Sequence, residues 1–263
     1  ARGRVDPTTL DLASCEERLR ASPRTAASLD AHLQCLLGID VATPPHPRVY
    51  AEVSRTLYLR GVGWPSPDRD DLAAARGWAL RCLALQPGVA GRLRASGGRI
   101  TEDVVDAVFE SEVDCLVWGA MAWARWIDRQ GAAGVGIDLE PVQLLADRAA
   151  ELAPDWDEGR PRWAVALARG VVPPALGRDA EQVAAAFAQA RQDGGDRLML
   201  RVDEARFVAA PAGDLDGWRR RLETVADAPV DGQDLDAYED LAAVAVAARR
   251  LAAGPPPPSV WMP

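Results

Sequence analysis

Apolar residues recur every three or four positions along nearly the whole chain, which is the spacing of amphipathic α-helices. Ala, Leu, Arg and Glu dominate, and the alternating β-branched runs typical of strands are missing. We therefore expect an all-α fold. The pattern predicts helices near residues 9–21, 23–38, 47–61, 70–86, 101–129, 139–153, 157–170, 179–192, 196–209, 214–227 and 234–253.

Proline-rich segments divide this helical pattern into three parts. Residues 1–44 are predicted to form an N-terminal helical hairpin and a connector that ends near Pro44 and Pro45. Residues 45–253 carry the main helical array. Residues 254–263 form a tail that Pro255 to Pro258 keep extended, with Trp261 near its end.

Short windows of the array repeat one another. Three Ala-rich windows of equal length, at residues 74–87, 141–154 and 180–193, align without gaps, and residues 216–229 follow them more loosely. Their closing residues are separated by steps of 67, 39 and 36, against about 34 residues per tetratricopeptide unit and about 68 for two units. The spacing predicts a tetratricopeptide-like solenoid of helical hairpins. An Ala-rich helical protein without repeats is the alternative.

Charge and composition exclude several functions. With 30 basic and 39 acidic residues the net charge is -9, which disfavours nucleic acid and anionic lipid as partners. All basic residues are Arg, so neither a phosphate-binding lysine nor a pyridoxal Schiff base can occur. The absence of both Lys and Asn is typical of a GC-rich coding sequence. No apolar run reaches the roughly 20 residues that span a bilayer, and the opening residues do not resemble a signal peptide.

Metal and acid/base chemistry have few residues to use. The only histidines are His32 and His46, and the four cysteines form no C-x-x-C motif, so no metal and no cofactor is expected. Four cysteines (Cys15, Cys35, Cys82 and Cys115) allow three disulfide pairings. Cys15 could meet Cys35 across a turn at Ser22 and Pro23, although unequal distances from that turn would offset them by about 10 Å.

Catalytic motifs are likewise missing. No third glycine completes a dinucleotide fingerprint at Gly61 or Gly134, and no nucleophile elbow occurs. Acidic pairs such as Asp70 and Asp71 stand at predicted helix starts, where the helix dipole favours them. A cysteine nucleophile paired with His32 stays open from sequence alone, but we expect no enzyme.

Tryptophan is unusually abundant, with nine Trp against three Phe and three Tyr. One predicted helix carries several of them and Met121, and neighbouring helices add two more. The candidate ligand-binding residues are Trp78, Trp118, Met121, Trp123, Trp126 and Trp163. Two interpretations stand: the rings fill the core between stacked hairpins, or they line an apolar cavity for a small hydrophobic ligand.

Four sequence blocks together resemble one family. They are residues 72–83 (LAAARGWALRCL), 114–127 (DCLVWGAMAWARWI), 144–156 (LLADRAAELAPDW) and the loop 173–179 (PPALGRD) before the helix with Phe187. Their order and spacing over roughly residues 45–250 are similar to the T component of tripartite ATP-independent periplasmic (TRAP) transporters. The loop lacks the glycine pair usual in that family.

The resemblance implies a non-catalytic binding protein in the periplasm or outer envelope of a GC-rich bacterium. It implies a periplasmic substrate-binding protein (the P component) or another envelope protein as partner, and self-association is a further expectation. Family members are typically lipoproteins with an N-terminal Cys, whereas this chain begins with Ala1 and first shows a cysteine at Cys15. Membrane contact is therefore expected only through an anchor that this chain does not show. A structural scaffold subunit of an envelope assembly, with the tryptophans as core only, is the alternative function.

Overall fold

The computed structural model describes residues 11–42 and 44–255, without the side chains at positions 41, 42, 132–137, 175 and 194. Within this part of the chain every regular element is helical, apart from one isolated bridge between Ser66 and Arg69. The predicted all-α fold is confirmed. The helices are α1 (Leu12–Ala21), α2 (Ala26–Ala42), α3 (Pro47–Gly63), α4 (Asp71–Leu83), α5 (Pro87–Ala95), α6 (Glu102–Val105), α7 (Val113–Gln130), α8 (Ala132–Leu152), α9 (Arg160–Gly170), α10 (Ala180–Gly194), α11 (Leu198–Glu204), α12 (Leu215–Ala226) and α13 (Leu235–Ala253).

Several boundaries differ from the prediction for identifiable reasons. The predicted helix 101–129 is interrupted after α6 and resumes as a 3-10 turn at Glu110–Glu112 that leads into α7. The predicted helix 70–86 ends earlier, at Leu83, and Pro87 occupies the first turn of α5, where its missing N–H costs nothing. The predicted helix 196–209 divides into α11 and a π-helical turn, Ala205–Ala209.

The helices pack in two rows. Helices α3, α7, α9, α11 and α13 form the inner row, in which α7 contacts α3 and α9, while α13 contacts both α11 and α3. The outer row is formed by α4, α8, α10 and α12, each packed against the inner helix that precedes it. Because α13 also packs against α3, the last inner helix contacts the first. At this seam a Cβ on Gly63 would lie 2.8 Å from the Cβ of Ala242, so the two helices approach closely.

The repeating windows fall on the outer row, on α4, α8, α10 and α12. Their shared alanines allow close packing against the inner helices, and Ala75, Ala79, Ala149 and Ala190 are fully buried. The long first step of 67 residues does not contain a complete extra hairpin. It contains the short helices α5 and α6 instead. The assignment of these hairpins to the tetratricopeptide class stays a prediction.

Two disulfides hold neighbouring helices together. Cys15 pairs with Cys35 between α1 and α2, and Cys82 pairs with Cys115 between α4 and α7, each with 5.8 Å between the Cα atoms. The offset expected for the first pair does not arise, because α2 begins at Ala26 and not at Pro23. The two cysteines then lie at nearly equal distances from the turn, with a difference of about 4.5 Å.

The N-terminal hairpin is tied to the far end of the chain. Arg24 donates a hydrogen bond to the carbonyl of Val230 at 2.7 Å, and the Tyr238 hydroxyl donates one to the carbonyl of Pro23 at 3.2 Å. The division into residues 1–44, 45–253 and 254–263 stays a prediction, and Trp261 lies outside the described residues. Among the described helices, none combines the length and apolarity that crossing a bilayer demands.

Candidate ligand-binding site

Helix α7 lies at the centre of the molecule. It contacts α3 and α9 in the inner row and α4 and α8 in the outer row, and it is buried along most of its length. Gly119 makes this crowding possible, since a Cβ at that position would lie 3.1 Å from the Cβ of Ala79 on α4. Trp118 and Met121 are buried on this helix, as expected for a central element.

Trp118 and Trp163 are held by an arginine from α9. The Arg160 guanidinium lies 4.7 Å from the ring centroid of Trp118 and 5.5 Å from that of Trp163. A second guanidinium, that of Arg55 on α3, lies 5.2 Å from the Trp118 ring. Each of these contacts adds cation–π attraction to the packing. The Trp118 ring is thus in contact with two cations and, at 5.6 Å, with the ring of Tyr58.

Carboxylates balance the buried charge of Arg160. Its Nη1 atom donates to both oxygens of Glu239 at 2.8 and 3.0 Å, Nη2 donates to Asp236 at 3.3 Å, and Nε contacts Asp157. Burial alone would raise the pKa of Glu239, but Arg160 outweighs it and holds this pKa below its ordinary value. The same opposition lowers the pKa of Asp157. These carboxylates are therefore ionised partners of Arg160.

A strained turn presents Asp157 to this network. Asp157 and Glu158 have φ values of 46° and 53°, and Gly159 follows at 75°, immediately before α9. The left-handed region is unfavourable for residues with a Cβ, and such residues cluster at functional sites. Arg197 donates to both the carboxylate and the carbonyl of Asp157, at 3.1 and 2.9 Å, and so holds the turn.

A second buried ion pair lies deeper along the inner row. Arg125 on α7 donates to the two oxygens of Asp203 on α11 at 2.5 and 2.7 Å, and the Trp163 indole donates to Asp203 at 2.9 Å. Arg125 also reaches the Tyr58 hydroxyl at 3.5 Å, and burial raises the pKa of Tyr58 to about 12. This part of the core between the inner helices is therefore occupied by aromatic rings and a paired charge.

A cavity of about 380 Å³ opens beside Trp118, between α3, the start of α7 and the strained turn. We call it the Trp118 cavity. Its lining includes both charged and aromatic side chains: Arg48, Glu52, Arg55, Asp114, Trp118, Trp156 and Asp157. Burial raises the pKa of Glu52 and of Asp114. The buried Oε2 of Glu52 and Nε of Arg55 have no hydrogen-bond partner among the described residues.

A cavity of about 530 Å³ lies on the other side of Asp157 and contains Asp236, Glu239 and Asp240. Burial, together with the charges of Glu239 and Asp236, raises the pKa of Asp240 to about 6. Arg197 also lines this cavity. The two cavities thus share Asp157 and its turn.

Trp123 and Trp126 lie elsewhere on α7, around Arg76 of α4. The Arg76 guanidinium is 4.8 Å from the Trp123 ring and 5.1 Å from the Trp126 ring. The Trp126 indole donates to Asp70 at 2.9 Å. Trp123 borders a groove of about 870 Å³ with a largely acidic rim, and its buried indole nitrogen has no acceptor among the described residues.

Trp78 has a third environment. It forms an edge-to-face contact with Tyr50 at 4.9 Å, and Arg81 covers its ring at 4.9 Å. The six predicted residues therefore occupy separate surroundings: Trp118 and Trp163 at Arg160, Trp123 and Trp126 at Arg76, Trp78 at Tyr50, and Met121 within the core. Whether any of them binds a ligand stays a prediction.

Sequence reasoning missed the charged residues of the site. Glu52, Arg55, Asp157, Arg160 and Glu239 belong to helices or turns whose polar positions resemble a solvated face. The sequence contains one signal that could have found Asp157, because an Asp-Glu-Gly run before a helix favours a left-handed turn. Long-range pairing such as that of Arg160 with Glu239 leaves no local pattern.

Cysteine chemistry is restricted by the disulfides. Cys35 is bonded to Cys15, so it carries no thiolate that His32 could activate. The buried ring of His32 instead contacts the carbonyl of Cys15 at 3.2 Å, and burial lowers its pKa. Cys82 and Cys115 lie close to Asp114 in a grouping of metal-ligand type, but their sulfurs are bonded to each other.

Comparison with known proteins identifies one family. The family model described as TRAP transporter T-component matches residues 72–252, which is more than half of the chain and includes α5 to α12 and nearly all of α4 and α13. A search of curated proteins finds no significant match. The matched region contains Trp118, Asp157, Arg160 and Glu239, whereas Glu52 and Arg55 lie on α3, before it begins.

Proposed function

Because this chain belongs to the TRAP transporter T-component family, we propose that it is a non-catalytic accessory of TRAP-type solute uptake that works outside the cytoplasm. The family match over residues 72–252 is the observation that carries the proposal. Two disulfides support an oxidising compartment, since such bonds are rare in reducing cytoplasm. The arrangement of side chains around Arg160 also resembles a positioned binding site more than a nucleophile with its base.

The proposed partner is a periplasmic substrate-binding protein. Helical arrays offer extended surfaces that suit this role. The strained turn at Asp157 borders two cavities, one against α3 and α7 and the other against α13. The Trp118 cavity is the proposed ligand site of the chain. A relay of ligand between the partner and this cavity would require the partner-binding surface and the opening of the cavity to lie on the same face of the protein.

Native mass spectrometry of protein purified gently from its source tests the role. We expect a particle that contains a TRAP-type substrate-binding protein, and the same mass reveals self-association. Cross-linking before lysis, with an unrelated exported protein purified in parallel, controls for contacts formed after lysis. A chain that is repeatedly recovered without any transporter component would refute the proposal.

A structural scaffold in an envelope assembly is the second candidate. The observation that favours it is the buried network of Arg125, Asp203 and Trp163, which occupies the space where α7, α9 and α11 meet. A scaffold would form a stable complex whose composition does not depend on solute. The same particle therefore distinguishes the two functions by the identity of the second protein.

A further inference from the structure

The Trp118 cavity contains unsatisfied groups of both polarities. Glu52 offers a buried carboxylate oxygen, and Arg55 offers a buried N–H, and neither has a partner among the described residues. A buried polar atom without a hydrogen bond destabilises the protein, so such atoms indicate a missing partner. Because both residues line the same cavity, one unpaired acceptor and one unpaired donor favour a ligand that can both donate and accept.

The other charged residues that line the cavity also include both signs. Arg48 lines the cavity together with Arg55, and Asp114 lines it together with Glu52. Arg55 already donates to Asp236 at 2.7 Å through Nη2, which fixes its guanidinium while leaving Nε unused. The disulfide of Cys115 fixes the start of α7, next to Asp114. The cavity is thus held in shape by contacts outside it.

Size and surface narrow the ligand class further. A volume of about 380 Å³ is equivalent to about a dozen water molecules at roughly 30 Å³ each, enough for a small organic molecule. The guanidinium groups of Arg55 and Arg160 already lie over the Trp118 ring. Trp156, which is half-buried, provides the aromatic surface left for a short side chain.

We propose that the Trp118 cavity binds a small zwitterion of the α-amino acid class. Its ammonium group donates to Glu52 and Asp114, and its carboxylate accepts from Arg48 and Arg55. This inference rests on the proposed ligand site and replaces the expected apolar ligand with a polar one. Arg55 Nη1 lies 3.9 Å from Glu52 Oε1, but a purely apolar ligand would leave Glu52 Oε2 and Arg55 Nε without a hydrogen bond.

Isothermal titration calorimetry with a panel of simple probes tests the ligand class. The amino acids are glycine, L-leucine, L-glutamine and L-glutamate; succinate lacks the ammonium group, butylamine lacks the carboxylate, and octanoate tests an apolar chain. We expect at least one amino acid to bind and the other three compounds to bind at least about tenfold more weakly. Equal or tighter binding of octanoate or succinate, or the failure of every amino acid, would overturn the proposal.

Variants connect binding to this cavity. Glu52→Gln keeps the size of the side chain but removes its charge, and we expect it to weaken amino acid binding about ten- to a hundredfold, as for the loss of one charge-assisted hydrogen bond. Arg48→Gln changes an exposed side chain at the opening, so it reports on the site without risk to the fold. Glu223→Gln, on the exposed face of α12, is the matched control.

The two proposals can fail independently. If Glu52→Gln binds amino acids as well as the parent protein does, the cavity assignment is wrong. If the native particle still contains a TRAP-type substrate-binding protein in that case, the transport role stands without this ligand. Binding of an amino acid by a chain that never associates with a transporter component would support the cavity and refute the transport role.

Discussion

The buried ion pair of Arg125 and Asp203 allows a direct test of how much stability depends on paired charges in the core. Asp203 is fully buried, and its two oxygens accept from both Nη atoms of Arg125. The variant Asp203→Asn keeps the shape and an acceptor for the Trp163 indole but removes the negative charge. It leaves the guanidinium buried and uncompensated, which costs about 3–5 kcal/mol. At roughly 2–4 °C per kcal/mol, we expect Tm to fall by about 6–20 °C.

A double variant separates the cost of leaving one buried charge unpaired from the net contribution of the ion pair to stability. Replacing both partners by apolar residues, as in Arg125→Met with Asp203→Leu, removes the unpaired charge, and we expect it to recover stability to within about 1–2 kcal/mol of the parent. The exposed pair of Arg20 and Glu16 is the control. Glu16→Gln should cost less than about 1 kcal/mol.

Urea unfolding at neutral pH, followed by far-ultraviolet circular dichroism and tryptophan fluorescence, measures these differences. Coincident transitions by the two probes are required before free energies are compared. Two results would refute the reasoning: a cost below about 1 kcal/mol for Asp203→Asn, or a double variant at least as unstable as the single one.

Three further predictions use the same unfolding assay. Burial and neighbouring carboxylates raise the pKa of Asp240 to about 6, so ionisation of Asp240 opposes folding as pH rises through that value. The variant Asp240→Asn should therefore stabilise the protein by about 1–2 kcal/mol at pH 8, after allowance for the partial exposure of this side chain, and hardly at pH 4. An equal effect at both pH values would contradict this prediction. Replacing Cys82 and Cys115 by alanine opens a loop with a sequence separation of 33 and should cost about 3–4 kcal/mol; no change under oxidising conditions would show that the bond does not restrain the chain. Gly63→Ala forces a Cβ into α13 and should cost about 1–3 kcal/mol, whereas Gly77→Ala on α4, which has open space, should stabilise by about 0.5–1 kcal/mol; the reverse order would mean that the seam is loosely packed.

Periodicity predicted the helices because each one buries an apolar stripe, and that stripe is recorded locally in the sequence. The same reasoning identified the Ala-rich windows as helices, and in the structure all of them lie on outer helices. It failed where a local signal has two meanings: Pro87 is compatible with a helix end, but α4 already ends at Leu83 and Pro87 begins α5. Nothing near residue 106 indicates that α6 is short. Boundaries of this kind depend on tertiary packing.

The site was predicted only in part, for a different reason. Tryptophans such as Trp118 and Trp163 are conspicuous by composition, and burial at the centre follows from their size. The arginines that cover them are not conspicuous, since Arg160 pairs with Glu239 across 79 positions of sequence. Charged residues on an amphipathic helix are usually solvated, so only the assembled inner row shows that these are enclosed.

The seam between α3 and α13 changes how the array can behave as a unit. An open repeat array frays from its terminal repeats and can lengthen by duplication of one hairpin, because each hairpin contacts only its neighbours. Here the first and last inner helices contact each other, and Gly63 keeps that contact close. Among the described inner helices, neither α3 nor α13 is therefore a free end from which the array could unfold. An added hairpin would have to break the contact between α3 and α13, so this contact limits the number of hairpins in the array.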